Sequence, residues 1–314
     1  MKVYFIGLFI ALNVNSAFSQ FNFFECAKNP STCKQNSKQK SDTSETAITT
    51  PNLIESSSKR TGLDALHNNE LIPNSKPLIF VNRKALVIGN DKYKYVSTLR
   101  NAVFDAQSMA DGLTKVGYQV TLKTNLDDKG MKLALRNFKL QVDAGDEVAF
   151  FYAGHGVQFG QSNYLLPVDI AGDNEDQVKD ESMPLERLLA DMLDKRAKFT
   201  LAMIDACRDN PFKGNGRAIS SSRGLAPTTA ATGQMIVFSA GNGQQALDSL
   251  GPTDSEKNGL FTRVFIKEMQ TPGVSIDRIV RSVRTQVAEK AKSVGREQVP
   301  SIYDQVIGEF YFNK

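Results

Sequence analysis

The sequence predicts an α/β domain with a mostly parallel six-stranded sheet and helices on both faces of that sheet. Two observations predict this fold. Short apolar runs with the length and β-branching of buried strands alternate with longer segments whose apolar residues recur at helical spacing. These runs are apolar along their whole length, which is typical of a parallel sheet that helices cover on both sides.

Six strands and five helices follow from these patterns. The first strand is the apolar run 84–89, which ends at a glycine. The first helix begins after Asn101, a suitable N-cap residue, and its apolar residues recur every three or four positions as far as Val116. The remaining predicted elements are strand 119–122, helix 130–142, strand 147–153, helix 185–194, strand 199–204, strand 234–239, helix 260–269, helix 275–294 and strand 308–312.

The composition of the chain excludes several classes of function. The chain has 314 residues, of which 41% are hydrophobic and 23% are charged, as in an ordinary globular protein. Its formal charge of +4 is spread along the chain and does not predict a nucleic-acid partner. With two histidines and three cysteines, the chain lacks the closely spaced ligands of a Cys/His zinc site.

The N-terminal segment has the pattern of an export signal. A lysine precedes the apolar run 3–12, and Ala17 and Ser19 form a small-residue cleavage site. We therefore expect a signal peptide over residues 1–19, a secreted or periplasmic protein, and no membrane span after removal of the signal. The alternative is an uncleaved anchor helix, for which the apolar run is too short.

A polar segment separates this signal from the folded domain. Residues 20–82 are rich in Ser, Thr, Asn and Lys and show no hydrophobic periodicity, which predicts a flexible segment. Cys26 and Cys33 within it could close a small loop in an oxidising compartment. The folded domain is predicted to cover residues 83–314.

Two predicted strand ends carry reactive side chains. His155, flanked by glycines that predict a sharp turn, follows the third strand, and Cys207 follows the fourth. Functional groups gather beyond the carboxyl ends of the strands in such sheets. A histidine and a cysteine at neighbouring strand ends are what a nucleophile and its base require. Either residue alone would more often be structural, and their joint placement favours catalysis.

These motifs resemble the caspase-like cysteine peptidases, especially the metacaspases and bacterial caspase homologues. The resemblance is carried by the segment Tyr-Ala-Gly-His-Gly that ends at Gly156 and by the segment Asp-Ala-Cys-Arg around Cys207. The histidine lies about 50 residues before the cysteine, as it does in caspases. Asn258–Thr262 and 298–300 match motifs nearer the C-terminus. The resemblance implies a caspase-haemoglobinase fold and a cysteine endopeptidase acting on protein or peptide substrates.

The resemblance also implies a role for individual residues. Cys207 would be the thiolate nucleophile and His155 the general acid and base. The backbone N–H groups of Gly156 and Cys207 would form the oxyanion hole, which stabilises the charge that develops on the tetrahedral intermediate. The family requires no third catalytic side chain.

Two acidic residues match the positions that select the substrate side chain. Asp205 lies two residues before Cys207, where caspases that cleave after Asp have Gln. Asp105 matches a second acid of the metacaspase pattern. Two carboxylates facing one pocket would select Arg or Lys before the scissile bond. The chain departs from the pattern at Ala102 and Ala153, where metacaspases often have Cys and Ser.

Each acid also has a structural interpretation. Asp105 could stabilise the first turn of its helix through the helix dipole. Asp205 could be a hydrogen-bonded acid beside a strand end. These alternatives stay open on the sequence alone.

Cofactors, processing and the class of function are less constrained. We predict no metal ligand and no required cofactor, although calcium is left open by the acid-rich segment 169–181, which lacks EF-hand spacing.

The polar loop 212–233 carries Lys213, Arg217 and Arg223 and is a candidate for self-cleavage. An exported, non-catalytic interaction module is the alternative to a peptidase, and an amidase or transpeptidase could use the same pair of residues.

Overall fold

The structure is a computed structural model that describes residues 82–207, 211–212, 225 and 228–314. Within these ranges the chain forms eight strands and six helices. The strands are β1 (Arg83–Gly89), β2 (Gln119–Thr124), β3 (Glu147–Phe159), β4 (Ser162–Leu165), β5 (Met183–Pro184), β6 (Phe199–Cys207), β7 (Gln234–Phe238) and β8 (Ser301–Asp304). The helices are α1 (Ala102–Lys115), α2 (Asp128–Gln141), α3 (Glu175–Glu181), α4 (Leu185–Asp194), α5 (Leu260–Met269) and α6 (Ile276–Ser293).

The main sheet has the strand order β2-β1-β3-β6-β7-β8. Its first five strands are parallel, and β8 is antiparallel to β7. Strands β4 and β5 form a small antiparallel extension on the carboxyl-terminal part of β3. The predicted α/β fold with a mostly parallel sheet is therefore confirmed.

Helices cover both faces of the sheet because successive strand residues point to opposite sides. Ala85 and Val87 of β1 belong to the core that contains side chains of α1, α5 and α6. Leu86 and Ile88 belong to the core that contains side chains of α2 and α4. All four side chains are fully buried. Since fully burying a Val, Leu or Ile side chain contributes about 1.5–3 kcal/mol, both helix layers are needed for stability.

Gly89 ends β1 at a close approach between the sheet and α1. A Cβ atom at this position would lie 2.6 Å from the carbonyl oxygen of Ala102 and 2.6 Å from the Cβ atom of Ala106. Interiors packed at this density cannot absorb such contacts without movement. The glycine therefore allows α1, which carries Asp105, to lie directly against the strand.

The predicted sixth strand, 308–312, is wrong. The antiparallel edge strand is β8, and Gly308 has a φ of 99°, outside the range of a strand. Phe310 and Phe312 alternate towards the core, where Phe310 stacks on Phe199 with ring centroids 4.4 Å apart. The alternation reflects burial of these rings, and the backbone of the segment forms one isolated antiparallel bridge, between Tyr311 and Ser275, instead of a strand of the main sheet. The short elements β4, α3 and β5 are absent from the sequence-based assignment.

Several predictions concern residues that the structure does not describe. The predicted signal peptide, 1–19, and all but the last residue of the predicted polar segment, 20–82, lie outside the described residues. The candidate cleavage residues of the loop 212–233 also lie outside them. In the described part of the chain, no helix has the length and apolarity needed to cross a bilayer.

The C-terminal segment is held to the sheet by Arg83. Its guanidinium group forms an ion pair with Glu147 at 2.9 Å. The same group donates to the carbonyl oxygens of Val116, Tyr311 and Phe312. One partly buried cation thus joins β1, β3, the end of α1 and the C-terminus.

We expect Arg83→Met to lower the free energy of unfolding by about 2–4 kcal/mol, because it leaves a mostly buried carboxylate and three carbonyl groups without their donor. Chemical denaturation followed by circular dichroism measures this loss. Arg284→Met is the matched control, since Arg284 is exposed on α6. Equal stability of the two variants would show that the Arg83 contacts contribute nothing.

Candidate active site

His155 and Cys207 occupy paired positions on neighbouring strands. The parallel register of β3 and β6 runs from Glu147 opposite Phe199 to His155 opposite Cys207. Strand β1, on the other side of β3, has already ended at Gly89. Both residues therefore lie at the carboxyl-terminal edge of the sheet, as the sequence predicts, and the backbones that carry them are adjacent.

The hydrogen bonds of His155 define the protonation of its ring. The imidazole Nε2 lies 2.8 Å from the carbonyl oxygen of Ser97. Since a carbonyl oxygen only accepts, Nε2 carries the proton and Nδ1 keeps a free lone pair. Nδ1 is buried and has no hydrogen-bond partner within the described residues. The side chain is 4% exposed, and this burial lowers the pKa of His155, although the bond to Ser97 opposes the shift.

The glycines on either side of His155 do not form the sharp turn expected from the sequence. Gly154 and Gly156 both lie inside β3, which continues to Phe159, and neither has a positive φ. Gly156 pairs with Leu165 of β4. A Cβ atom at Gly156 would lie 3.2 Å from the Leu225 side chain, so the position is closely packed. The continuous strand is what carries His155 beyond the end of β1.

Asp105 and Asp205 line the same small pocket at the edge of the sheet. Asp105 is 4% exposed, and its Oδ1 accepts hydrogen bonds from the Asn258 side chain and the Gly259 N–H, both at 2.9 Å. Asp205 Oδ2 accepts from the Thr262 hydroxyl at 2.7 Å. The N-terminus of α5 therefore holds both carboxylates, and the motif Asn258–Thr262 that the resemblance singled out supplies the donors.

The two carboxylates are close enough to oppose each other's ionisation. A Cβ atom at Gly259 would lie 3.3 Å from Asp105 Oδ2 and 3.8 Å from Asp205 Oδ2, so the glycine leaves the space between them open. Burial raises the pKa of both carboxyl groups, and the charge of Asp205 raises that of Asp105 further. Such a pair favours a ligand that brings positive charge.

The pocket contains a third carboxylate that the sequence interpretation missed. Asp248 lies in the loop between β7 and α5 and lines the pocket with Asp105 and Asp205. Asn101 is the N-cap residue of α1, as predicted, but its side chain makes no capping bond and donates instead to the Asp248 carbonyl oxygen at 2.8 Å. The long polar loop that carries Asp248 has no periodic pattern, so the sequence offered no signal for it.

The wall of the pocket includes the two positions where the chain departs from the metacaspase pattern. Ala102 and Ala153 both line it. Their methyl groups add no polar atom, so the described polar side chains of the pocket are its three carboxylates. The alanines at these two positions therefore alter the apolar wall of the pocket but not its acidic residues.

Two further interactions hold the loop between β7 and α5. Gln298 is fully buried; its Oε1 accepts from the Leu247 N–H at 2.9 Å, and its Nε2 donates to the Ser239 carbonyl oxygen at 2.8 Å. Arg263 forms a two-bond ion pair with Asp254, at 2.9 and 2.8 Å. This contact holds the pKa of Asp254 well below its usual range. The loop that forms one wall of the acidic pocket is therefore held on both sides of Asp248, at Leu247 and at Asp254.

Carboxylates of the acid-rich segment 169–181 contact neighbouring helices. Asp169 accepts from the Asp128 N–H at the start of α2, and Glu175 pairs with Lys179 within α3. Nowhere in the described ranges do three His, Cys, Asp or Glu side chains form a group that could hold a metal ion. These carboxylates serve helix ends and ion pairs.

The fold and this site define a caspase-like peptidase domain. A family model described as the caspase domain matches residues 82–311, and the protein belongs to that family. Mucosa-associated lymphoid tissue lymphoma translocation protein 1 from Homo sapiens is 24% identical over 127 residues, which are 40% of this chain and 15% of that protein. A probable protease from a Desulfuromonadales bacterium is 22% identical over 263 residues, 70% of this chain and 31% of that protein. The chain thus spans less than a third of either relative.

We expect Asp105→Asn to stabilise the fold by about 1 kcal/mol or more at pH 8. The raised pKa means that ionising Asp105 costs free energy in the folded state. The asparagine oxygen can still accept from Asn258 and Gly259, while its amide group can donate towards Asp205. Thermal unfolding of the variant and the wild type at several pH values measures the difference.

The pH dependence of this difference is the diagnostic feature. Below about pH 4 the carboxyl group is neutral in both the folded and the unfolded state, so the gain should vanish. It should grow as the pH rises and the unfolded chain ionises. Asp111→Asn, an exposed change on the same helix, is the control. A gain that does not vary with pH would contradict the assignment.

Proposed function

We propose that this protein is a cysteine endopeptidase that cleaves peptide bonds after Arg or Lys with Cys207 as nucleophile and His155 as general acid and base. The observation that carries the proposal is the β3–β6 register, which pairs the two residues, combined with the free Nδ1 of a neutral imidazole. Membership of the caspase-domain family supports the same chemistry. A non-catalytic module would have no need for this combination.

The proposed reaction begins with the activation of the nucleophile. Nδ1 of His155 accepts the thiol proton of Cys207, and the thiolate attacks the carbonyl carbon of the substrate. The carbonyl oxygen becomes negatively charged, and the N–H groups of Gly156 and Cys207 stabilise it. The bond from Nε2 to the Ser97 carbonyl oxygen keeps the imidazole oriented and stabilises the imidazolium that forms.

The second half of the reaction returns the proton. The imidazolium of His155 protonates the leaving amine as the peptide bond breaks, which leaves an acyl group on the Cys207 sulfur. His155 then takes a proton from water, and the resulting hydroxide attacks the acyl carbon. The thiolate leaves and recovers its proton, so that acid and amine products are released and the enzyme is unchanged.

The acidic pocket supports a preference for basic side chains. Asp105, Asp205 and Asp248 face one cavity beside the strand ends that carry the dyad. The two carboxylates held by α5 resist ionisation in the free enzyme. A guanidinium or ammonium group would remove that resistance, whereas a substrate aspartate would add to it. We propose separately that residues 1–19 direct export of the chain. An effect of calcium on activity is a further proposal, and neither one depends on this pocket.

We expect Cys207→Ala to lower kcat about 1,000-fold or more and His155→Ala to lower it about 100- to 10,000-fold. The double variant should lose no more than Cys207→Ala alone, because the two residues act as one unit. Hydrolysis of a fluorogenic arginine peptide measures both effects. Ala substitutions at Cys26 and Cys33, the other two cysteines of the chain, are the controls.

Substantial turnover by folded Cys207→Ala protein would exclude the proposed mechanism. A wild-type protein that binds peptides without cleaving them would instead identify an interaction module. If it transfers the acyl group to an amine in place of water, the same dyad serves a transpeptidase.

We expect a peptide library scanned at the residue before the scissile bond to show cleavage after Arg or Lys. Asp205→Asn and Asp105→Asn should each lower kcat/KM for arginine substrates about 30-fold or more, because each removes a carboxylate from a desolvated charge pair. Asp248→Asn should have a smaller effect, since this residue is the most exposed of the three acids. Asp111→Asn is the control. Efficient cleavage after Asp would refute the pocket assignment.

A further inference from the structure

Tyr93 lies directly beneath the imidazole of His155, in the segment that joins β1 to α1. The two ring centroids are 4.5 Å apart, and the rings are tilted by 51°. The backbone N–H of His155 donates to the Tyr93 hydroxyl oxygen at 2.8 Å. Tyr93 is 5% exposed, so both contacts are shielded from water. The tyrosine therefore touches the ring and the main chain of the same histidine.

A second tyrosine closes a ring of hydrogen bonds around His155. The hydroxyl of Tyr152 donates to the His155 carbonyl oxygen at 2.8 Å, with the Leu166 carbonyl oxygen at 2.9 Å as a second acceptor. The two tyrosine oxygens are 3.2 Å apart. Because Tyr93 accepts from the His155 N–H, its own proton can be donated to Tyr152. Both backbone polar groups of His155 are thus held by one buried, mutually polarising network.

Gly154 is required by this pair of tyrosines. A Cβ atom at this position would lie 2.6 Å from the Tyr152 hydroxyl oxygen and 2.8 Å from the Tyr93 hydroxyl oxygen. Contacts of this length would displace one or both hydroxyl groups. The glycine immediately before His155 is therefore explained by the packing of these two hydroxyl groups.

Hydrogen bonds on both sides of Tyr93 hold the segment that carries it. Asn125, with a φ of 51°, uses its side-chain oxygen to accept from the Asp91 and Lys92 N–H groups, both at 3.0 Å. The Lys94 N–H donates to the Val168 carbonyl oxygen at 2.8 Å. Ser97, whose carbonyl oxygen accepts from Nε2, follows in the same segment.

We infer that Tyr93 is a positioning residue for the reaction: its ring and hydroxyl fix the His155 main chain and imidazole so that Nε2 stays bonded to Ser97 and Nδ1 stays free. The inference rests on the proposed function. Tyr93 does not touch the reacting atoms and acts through His155. Its hydroxyl controls the tautomer indirectly, by setting the distance between Nε2 and the Ser97 carbonyl oxygen.

Tyr93→Phe removes the hydroxyl and keeps the aromatic ring. We expect kcat for an arginine peptide to fall about 10- to 100-fold with KM nearly unchanged, because a small displacement of a catalytic group has effects of this size. Tyr118→Phe is the matched control. Tyr118 is also buried, but its hydroxyl lacks a hydrogen-bond partner among the described residues, so its removal should leave kcat unchanged.

A spectroscopic measurement tests the same inference without catalysis. The chain has two histidines, so His67→Gln leaves His155 as the only imidazole. In full-length Cys207→Ala protein labelled with ¹⁵N-histidine, the ring nitrogen shifts should report the form protonated at Nε2. Adding Tyr93→Phe should produce a mixture of the two tautomers, whereas adding Tyr118→Phe should not.

The outcomes separate this inference from the proposed function. A folded Tyr93→Phe protein with wild-type kcat and an unchanged ¹⁵N spectrum overturns the positioning role, as does a loss of thermal stability alone. If the wild type cleaves no peptide but Tyr93→Phe still changes the tautomer, the proposed function fails and the positioning role stands. Should Tyr93→Phe not fold, Tyr152→Phe removes the second hydroxyl of the ring and must shift the tautomer in the same way.

Discussion

The register between β3 and β6 is the constraint on which the rest of the site depends. A shift of β6 by one residue would place Ala206 opposite His155 and would turn every buried side chain of the strand to the other face of the sheet. Both faces are packed with helices, so such a shift would press each side chain of the strand into a core shaped for a different one. The pairing of His155 with Cys207 is therefore enforced by core residues far from the chemistry.

Burial of the two carboxyl groups in the acidic pocket lowers the stability of the fold, whereas burial of apolar side chains raises it. Asp105 and Asp205 are acids placed where burial raises their pKa values, and groups at the N-terminus of α5 donate hydrogen bonds to both, which opposes the shift. Backbone N–H groups at a helix N-terminus favour negative charge, which offsets part of the desolvation cost. The remaining cost makes the pocket destabilising by itself, and a basic substrate of the kind proposed above would relieve it.

The sequence predicts most of the fold because the apolar runs and helical spacings are long and regular, as in α4, whose predicted bounds match the structure. The prediction fails at 308–312, because alternating apolar residues can reflect either a strand or rings that reach the core from an irregular segment. Phe310 and Phe312 alternate as in a strand, but they fill the core outside any strand of the sheet. At the candidate site, the motifs point to His155 and Cys207, which the β3–β6 register pairs, and to Asp105 and Asp205, which line one pocket. The Ser97 contact escapes prediction because it uses a main-chain carbonyl, which any residue type could supply.

One short segment connects the proposed base with the proposed specificity pocket. Tyr93 and Ser97 hold His155, whereas Leu99 and Ala102 of the same stretch line the acidic pocket. Gly89 lets this stretch enter α1 directly against the sheet, so that Asp105, in the first turn of α1, lines the pocket. A substitution that moves the segment would therefore disturb both the orientation of the imidazole and the shape of the pocket. Such a coupled effect would raise KM and lower kcat together, unlike the loss of a single hydroxyl.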